Sequence, residues 1–399
     1  MWARIRLDIA PADLAFGVFR SLIPDDRNRL LQEIESFWDS EANTIVSFSV
    51  RSGFDLLLQV LAFPPKSEIL FSALNIKGMI KIAKRHELVP VPVDLDREHM
   101  GPNLELLERA ITPQTRAIVV AHLFGTRLNL DPLCALAKRH NLFIIEDCAQ
   151  AFDGPTFAGH PEADASLFSF GPLKTSTALG GALLRIRDLE LAARMRTLQS
   201  NYPIQNQKAY LKRILKFGAF TIITSPILFG WVAGLFRLKG EDYEDAISDK
   251  VREVASLGSA KKMRQQPSTA LCAMMYRRLR AWKKEHLNGR IQAGESLLAL
   301  LKNVVVCPGI KNPLHTFWVF PILAEKPNEM IAALRKEGFD GAILSRSEAV
   351  SAPDDRPELE PEVAKTVLAQ MIILPCYAGM PADELAREAK TVIGKVSEN

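Results

Sequence analysis

Asp147 and Lys174 are the residues whose types and spacing could do chemistry. Asp147 ends Leu142 to Asp147, whose apolar, β-branched start reads as a buried parallel strand, so its carboxylate would emerge at the strand's carboxyl end, where open α/β sheets bind ligands. Lys174 follows a second strand candidate, Ala165 to Phe170, which Gly171-Pro172 ends by turning the chain into a loop. An acid at one strand end and a lysine on the next loop is the order that pyridoxal phosphate requires. Its ring nitrogen must stay protonated and its aldehyde must be held by a lysine as a Schiff base before it becomes an electron sink. Asp147 is the candidate pyridinium partner and Lys174 the candidate Schiff-base lysine.

Around this pair stand Glu146-Asp147-Cys148-Ala149-Gln150 and a Ser-Phe strand end with the lysine five residues after Ser169. Val93-Asp94-Leu95-Asp96, the run from Ile111 to Ile118, Ala121-His122-Leu123-Phe124-Gly125 and the run from Leu374 to Met380 complete an ordered set. In this order the segments resemble the DegT/DnrJ/EryC1/StrS aminotransferases, from about Ser47 to the carboxyl-terminal region, with residues 205–245 matching poorly. The resemblance implies an α/β protein of fold type I: a large, mixed, mostly parallel sheet domain followed by a smaller α+β domain. It makes Lys174 and Asp147 the catalytic pair, Gln150 a neighbour of the cofactor's phenolic oxygen and Ser169 a phosphate ligand. Ser52-Gly53 falls on the family's phosphate turn, and Ser52 is a fitting cap for a helix from about Asp55 to Phe63. No metal ligand is implied. The implied reaction moves an amino group from an amino-acid donor, glutamate by default, to a carbonyl acceptor, by default a nucleotide-linked keto-sugar. A homodimer with cofactor sites near the subunit interface goes with it.

Three departures bear on this expectation. Phe54 stands where the family has threonine, Ile76 where an aromatic residue covers the cofactor ring, and Thr177-Ala178-Leu179-Gly180-Gly181 where the family has an acidic-Gly-Gly turn. They motivate two rival readings: a noncatalytic relative that binds or scaffolds, and a pyridoxal phosphate enzyme of elimination or dehydration. His122 reads first as a hydrogen-bonded histidine between strand and loop, and second as a substrate contact.

Strands read at Ile69 to Ser72, Val89 to Asp94, Ala117 to Ala121 and Ala182 to Ile186 alternate with helices at Ile76 to Arg85, Leu104 to Ala110 and Pro132 to His140. Pro90 and Pro92 place their strand at an edge or restrict its pairing. Helices at Glu329 to Glu337 and Ala382 to Val392 alternate with apolar strands near Val304, at Phe317 to Ile322 and at Ile372 to Leu374. The expected division is residues 1–250, carrying the large domain and an insertion at about 205–245, and residues 251–399. With 48% hydrophobic residues among 399 and a formal charge of +4, the chain can bury a large core and gives no case for nucleic-acid binding. Its five cysteines show neither metal spacing nor a disulfide framework, and the amino terminus lacks an apolar signal-peptide core, so a cytoplasmic location is expected.

Residues 217–236 contain no charged side chain, and Lys208, Lys212, Arg213 and Lys216 precede them. Positive charge on both flanks disfavours a single crossing. The expectation is a peripheral contact at the inner face of a membrane, through a hairpin broken near Pro226 or Gly230 or a pair of interfacial helices, with burial in the subunit or dimer as its rival. Arg277, Arg280 and Lys284 read as a second basic face, apart from Leu271, Met275 and Trp282: first a solvated surface, otherwise a contact for anionic lipid or for the phosphates of a nucleotide-linked substrate.

Overall fold

The structure is a computed structural model, and it describes residues 1–398 apart from residues 5, 24, 39–42, 226–227, 232–259 and 344–346. Nine strands precede residue 190: β1 (Thr44–Ser47), β2 (Glu68–Ser72), β3 (Leu74–Ile76), β4 (Val89–Val93), β5 (Thr115–Ala121), β6 (Thr126–Arg127), β7 (Phe143–Asp147), β8 (Ala165–Ser169) and β9 (Ala182–Ile186). Seven of them form one sheet in the order β1-β9-β8-β7-β5-β2-β4. The pairings from β4 through β8 are parallel, and only β9 runs against the rest. Burial on both faces explains the apolar runs, since helices cover the sheet on each side. Pro90 and Pro92 lie on β4, an edge strand bonded only to β2, where a missing N–H costs no ladder bond on the open side.

The first helix of this unit runs Val50–Leu61, not from Asp55. Its cap is Ser49, whose Oγ accepts from Ser52 N at 3.2 Å, so the expected cap Ser52 lies inside the first turn. Gly53 faces Leu184 of β9, whose side chain fills the space a Cβ would take, and this lets the helix close onto the sheet.

Five further strands follow: β10 (Leu314–His315), β11 (Phe320–Leu323), β12 (Ala342–Ile343), β13 (Ser347–Ala349) and β14 (Met371–Leu374). An antiparallel sheet, β11-β14-β12, packs with the helices Lys284–Leu301, Pro327–Lys336 and Ala382–Ser397 around Leu297, Phe320, Leu334 and Val392. Two short ladders, β10 with β6 and β13 with β3, tie this carboxyl-terminal part to segments that leave the carboxyl ends of β5 and β2. The segment between β10 and β11 is thereby held over the strand ends of the main sheet.

The apolar segment begins inside a longer helix, Gln207–Ile223, capped by Asn206. It lies antiparallel to the helix Pro11–Leu22, with Gly17 against Ile214 and Gly218 against Leu14, and buries Tyr210, Ile214 and Phe217. The expected break at Pro226 and residues 232–236 lie outside the described residues; Gly230 is described, close to the Met1 backbone. Among the described residues no helix is long and apolar enough to cross a membrane. Of the second basic face, Arg280 and Lys284 are exposed, while Arg277 Nε donates to Asp13 Oδ1 at 2.8 Å and its guanidinium lies over Phe16.

Candidate functional site

Parallel pairing of β7 with β8 brings Asp147 and Ser169 to the same end of the sheet. The Asp147 side chain is 7% exposed; one oxygen accepts from Ala149 N at 2.9 Å, and no other hydrogen bond to the carboxylate is found among the described residues. Burial raises its pKa, and the bond from Ala149 and the charge of Lys174 offset only part of that. The site therefore holds a buried carboxylate that the charge of Lys174 compensates only in part.

Lys174 sits on the loop between β8 and β9, and its own sequence pins that loop. Thr177 Oγ1 donates to the Gly171 carbonyl at 2.7 Å and accepts from Leu179 N at 2.9 Å, while Ala178 N and Gly180 N both reach the Phe170 carbonyl. Thr177 thus organises the turn that lacks the family's acid. Ser176 and Leu179 hold positive φ, 54° and 59°, and Ser176 N is held by Asp8 at 2.6 Å. Trp318, from the segment above the strand ends, lays its ring 4.1 Å from Lys174 Nζ and donates its indole N–H to the Leu173 carbonyl at 2.7 Å. Arg290 bridges the same elements, donating to the Thr316 carbonyl at 2.7 Å and to Thr175 Oγ1 at 3.1 Å, with its Nη2 lacking a partner among the described residues. Burial lowers the Arg290 pKa to about 10, which leaves it protonated at neutral pH.

Gln150 turns its Oε1 toward Phe124 N, which donates at 2.7 Å. At Gly125, φ is 95°, and a Cβ there would lie 2.6 Å from both Thr316 Oγ1 and Trp318 N, so only glycine lets the Trp318 backbone approach. Beside it opens a cavity of about 220 Å³ lined in part by Arg127, Asp153, Lys284 and His315. Burial and the nearby Arg290 charge push His315 down to about 4, so the imidazole is neutral at neutral pH.

His122 takes the first of its two readings. Its Nε2 lies 2.8 Å from Glu146 Oε1 and its Nδ1 accepts from Leu128 N, leaving it 1% exposed. Ser52 Oγ is 2.9 Å from Ser49 Oγ, and the amides of Ser52 and Gly53 are bonded within the helix cap, so Ser52 has its hydroxyl rather than its amide to offer an anion. Ser169 Oγ is partly exposed and only 3.4 Å from Gly171 N. Phe54 is fully buried edge-on to Phe71, and Ile76 is partly buried in the β3–β13 ladder. Sequence reasoning missed Trp318, Arg290 and Thr175; nothing local to the run Leu314 to Val319 marks a residue that folds back onto a lysine 144 positions earlier.

The sequence from residue 27 to 396 matches the model of the DegT/DnrJ/EryC1/StrS aminotransferase family. The chain belongs to this family. Among curated relatives, the UDP-4-amino-4-deoxy-L-arabinose–oxoglutarate aminotransferase of Shewanella sediminis is 32% identical over 153 residues, 38% of this chain and 39% of the relative. The GDP-perosamine synthase of Caulobacter vibrioides is 34% identical over 147 residues, 36% of this chain and 39% of the relative. The matched stretch thus spans about two-fifths of either relative. In fold, this DegT/DnrJ/EryC1/StrS member resembles Helicobacter pylori PseC, an aminotransferase involved in the biosynthesis of pseudoaminic acid, with a TM-score of 0.71 at 17% identity and full coverage of both chains. The aminotransferase TlmJ from Streptoalloteichus hindustanus gives 0.71 at 16% identity, covering 100% of this chain and 99% of the other.

The residues present fit pyridoxal phosphate. A buried carboxylate whose pKa is raised by burial suits a protonated ring nitrogen, and a lysine on the loop at the same end of the sheet suits the aldehyde.

Proposed function

We propose that this DegT/DnrJ/EryC1/StrS member is a pyridoxal-phosphate-dependent aminotransferase that moves the amino group of an amino acid, glutamate by default, to the carbonyl of a nucleotide-linked keto-sugar. The observation that carries the reading is that parallel pairing of β7 and β8 sets buried Asp147 and the loop bearing Lys174 at the same end of the sheet. The names of the two curated relatives, one a UDP-sugar aminotransferase and one a GDP-sugar synthase, support the acceptor class.

When bound, pyridoxal phosphate supplies an electron sink for the carbon that loses its proton. Lys174 and Asp147 would hold its two ends, Gln150 would neighbour its phenolic oxygen, Ser169 and Ser52 would take the phosphate with Gly53 beside them, and Ile76 would cover a ring face. Lys174 Nζ would act as the base and then the acid of a 1,3-proton shift, taking a proton from one carbon and giving it to another bonded to the same nitrogen. Trp318 receives that amine against its ring and fixes the backbone before it through Leu173, so the proton carrier stays within reach. Arg290 holds Thr175 and Thr316 together, which keeps the lysine loop and the Trp318 segment in one geometry.

The reading includes a homodimer in the cytoplasm, with residues 217–236 touching the inner face of a membrane. The exposed side chains of Ile222, Ile223, Leu228 and Trp231 favour a second acceptor class, a lipid-linked or otherwise membrane-borne carbonyl.

Absorbance of the purified protein with added pyridoxal phosphate, before and after borohydride, with mass mapping, tests the core of the reading. A visible band and an adduct on Lys174, both lost in Lys174→Ala, are expected; folded protein without an adduct moves the noncatalytic reading to first place. Conversion of the bound cofactor to its amine form by glutamate is expected of transamination. Retention of the aldehyde form with every amino donor favours elimination.

A further inference from the structure

The helix Gln207–Ile223 presents one continuous face to solvent: Lys208, Lys212, Leu215, Lys216, Ala219, Ile222 and Ile223 are exposed at helical spacing, while Tyr210, Ile214 and Phe217 are buried. Along that face the chemistry changes from ammonium groups to branched apolar groups. Leu215 is 58% exposed and Ile222 63%, and Trp231 just beyond is 73% exposed. The antiparallel neighbour Pro11–Leu22 adds exposed Phe19, Leu22 and, directly after it, Ile23. The helix Gln207–Ile223 contains no Asp or Glu, and the only one in Pro11–Leu22, Asp13, is buried and paired with Arg277 and Arg278. Lys208 and Lys212 form no ion pair among the described residues.

We propose that this face is a docking surface for an anionic lipid bilayer, with the lysines on headgroups and Leu215, Ile222, Ile223 and Trp231 in the interfacial layer. It rests on the membrane contact proposed above and deepens it: the contact starts at Lys208, ahead of the charge-free run, and depends on lipid charge. The helix is 17 residues long, about 25 Å, so lying flat it spans several headgroups. Charge decides against a second copy of the chain as occupant. A two-fold contact through this face would set Lys208 and Lys212 either against each other or against the apolar end of the partner helix, with no carboxylate on either helix to answer them, whereas anionic headgroups answer both.

The test is co-sedimentation of the full chain with extruded vesicles of phosphatidylcholine alone and of phosphatidylcholine mixed equally with phosphatidylglycerol. Binding to the mixed vesicles is expected, falling with salt and lowered at least about tenfold by Lys208→Glu with Lys212→Glu. Ile222→Ser with Ile223→Ser should lower it by about tenfold as well. All four positions are exposed, and circular dichroism checks that the variants fold. Equal binding to both vesicle types would overturn this inference and leave the apolar contact standing. Failure to bind either type would remove both. Conversion of a dimer to a monomer by Ile222→Ser with Ile223→Ser, read by light scattering, would assign the face to a second copy and overturn the inference. The cofactor reading is untouched by any of these, since the Lys174 adduct is measured without vesicles.

Discussion

Glu146 offers a quantitative test of the network beneath the site. Its carboxylate, 1% exposed, lies 2.8 Å from His122 Nε2, accepts from Ser166 Oγ at 2.6 Å and accepts from His160 N at 2.8 Å. Burial pushes its pKa up, but the hydrogen bonds from His122, Ser166 and His160 outweigh burial and hold it at about 2, against an ordinary value of 4.5. The unfolded chain therefore takes up the Glu146 proton at a higher pH than the folded chain does. The stabilisation is fully present above about pH 4.5 and is lost as pH falls toward 2, amounting to roughly 3 kcal/mol at ~1.36 kcal/mol per pH decade. Urea denaturation of the wild type and Glu146→Gln, from pH 6 down to the lowest pH at which both fold, isolates it. The stability gap between the two proteins should shrink steadily as pH drops. A gap constant with pH would refute the assignment of an ionised, hydrogen-bonded Glu146. The test matters for the site because the His122 amide also donates to the Asp147 carbonyl, so the same network seats the end of β7.

Other outcomes follow from the same geometry. Asp147→Asn removes a buried charge that lacks compensation, so the protein without cofactor should be as stable as the wild type or more stable in urea, while its affinity for pyridoxal phosphate, read by the visible band, falls about tenfold or more. Gly125→Ala puts a Cβ against Thr316 and the Trp318 backbone at φ 95°, and should cost about 1–3 kcal/mol by denaturation with a change in tryptophan fluorescence. Trp318→Leu removes the ring beside Lys174 and the bond to Leu173; a loss of about 1–2 kcal/mol is expected, with faster acetylation of Lys174 by trace anhydride, mapped by mass spectrometry.

The main sheet was legible because its strands are buried on both faces and therefore carry unbroken apolar runs, with glycine and proline marking their ends. The positions of Asp147 and Lys174 were legible for the same reason: Asp147 ends one such run and Lys174 stands on the loop that follows the next. The edge position of Pro90 and Pro92 follows from one missing donor per residue. Legibility failed where two local signals competed or where the partner is remote. Ser49 and Ser52 are both plausible caps, and Ser49 takes the role because helical geometry already includes Val50 and Arg51. Arg277 reads as a surface cation until the helix Pro11–Leu22 brings Asp13 to it from 264 positions away. Trp318 and Arg290 have no local signature at all, since their roles exist only once the short ladders β6–β10 and β3–β13 are formed.

Those ladders give the lysine loop a mechanical input. Trp318 rides on the chain that continues into β11, and its indole grips the carbonyl next to Lys174. A hinge displacement of the carboxyl-terminal sheet would pull on Leu173 or let go of it. The position of the Lys174 loop is thereby tied to the seating of that sheet, and a movement of the sheet on product release would loosen the loop at the same time.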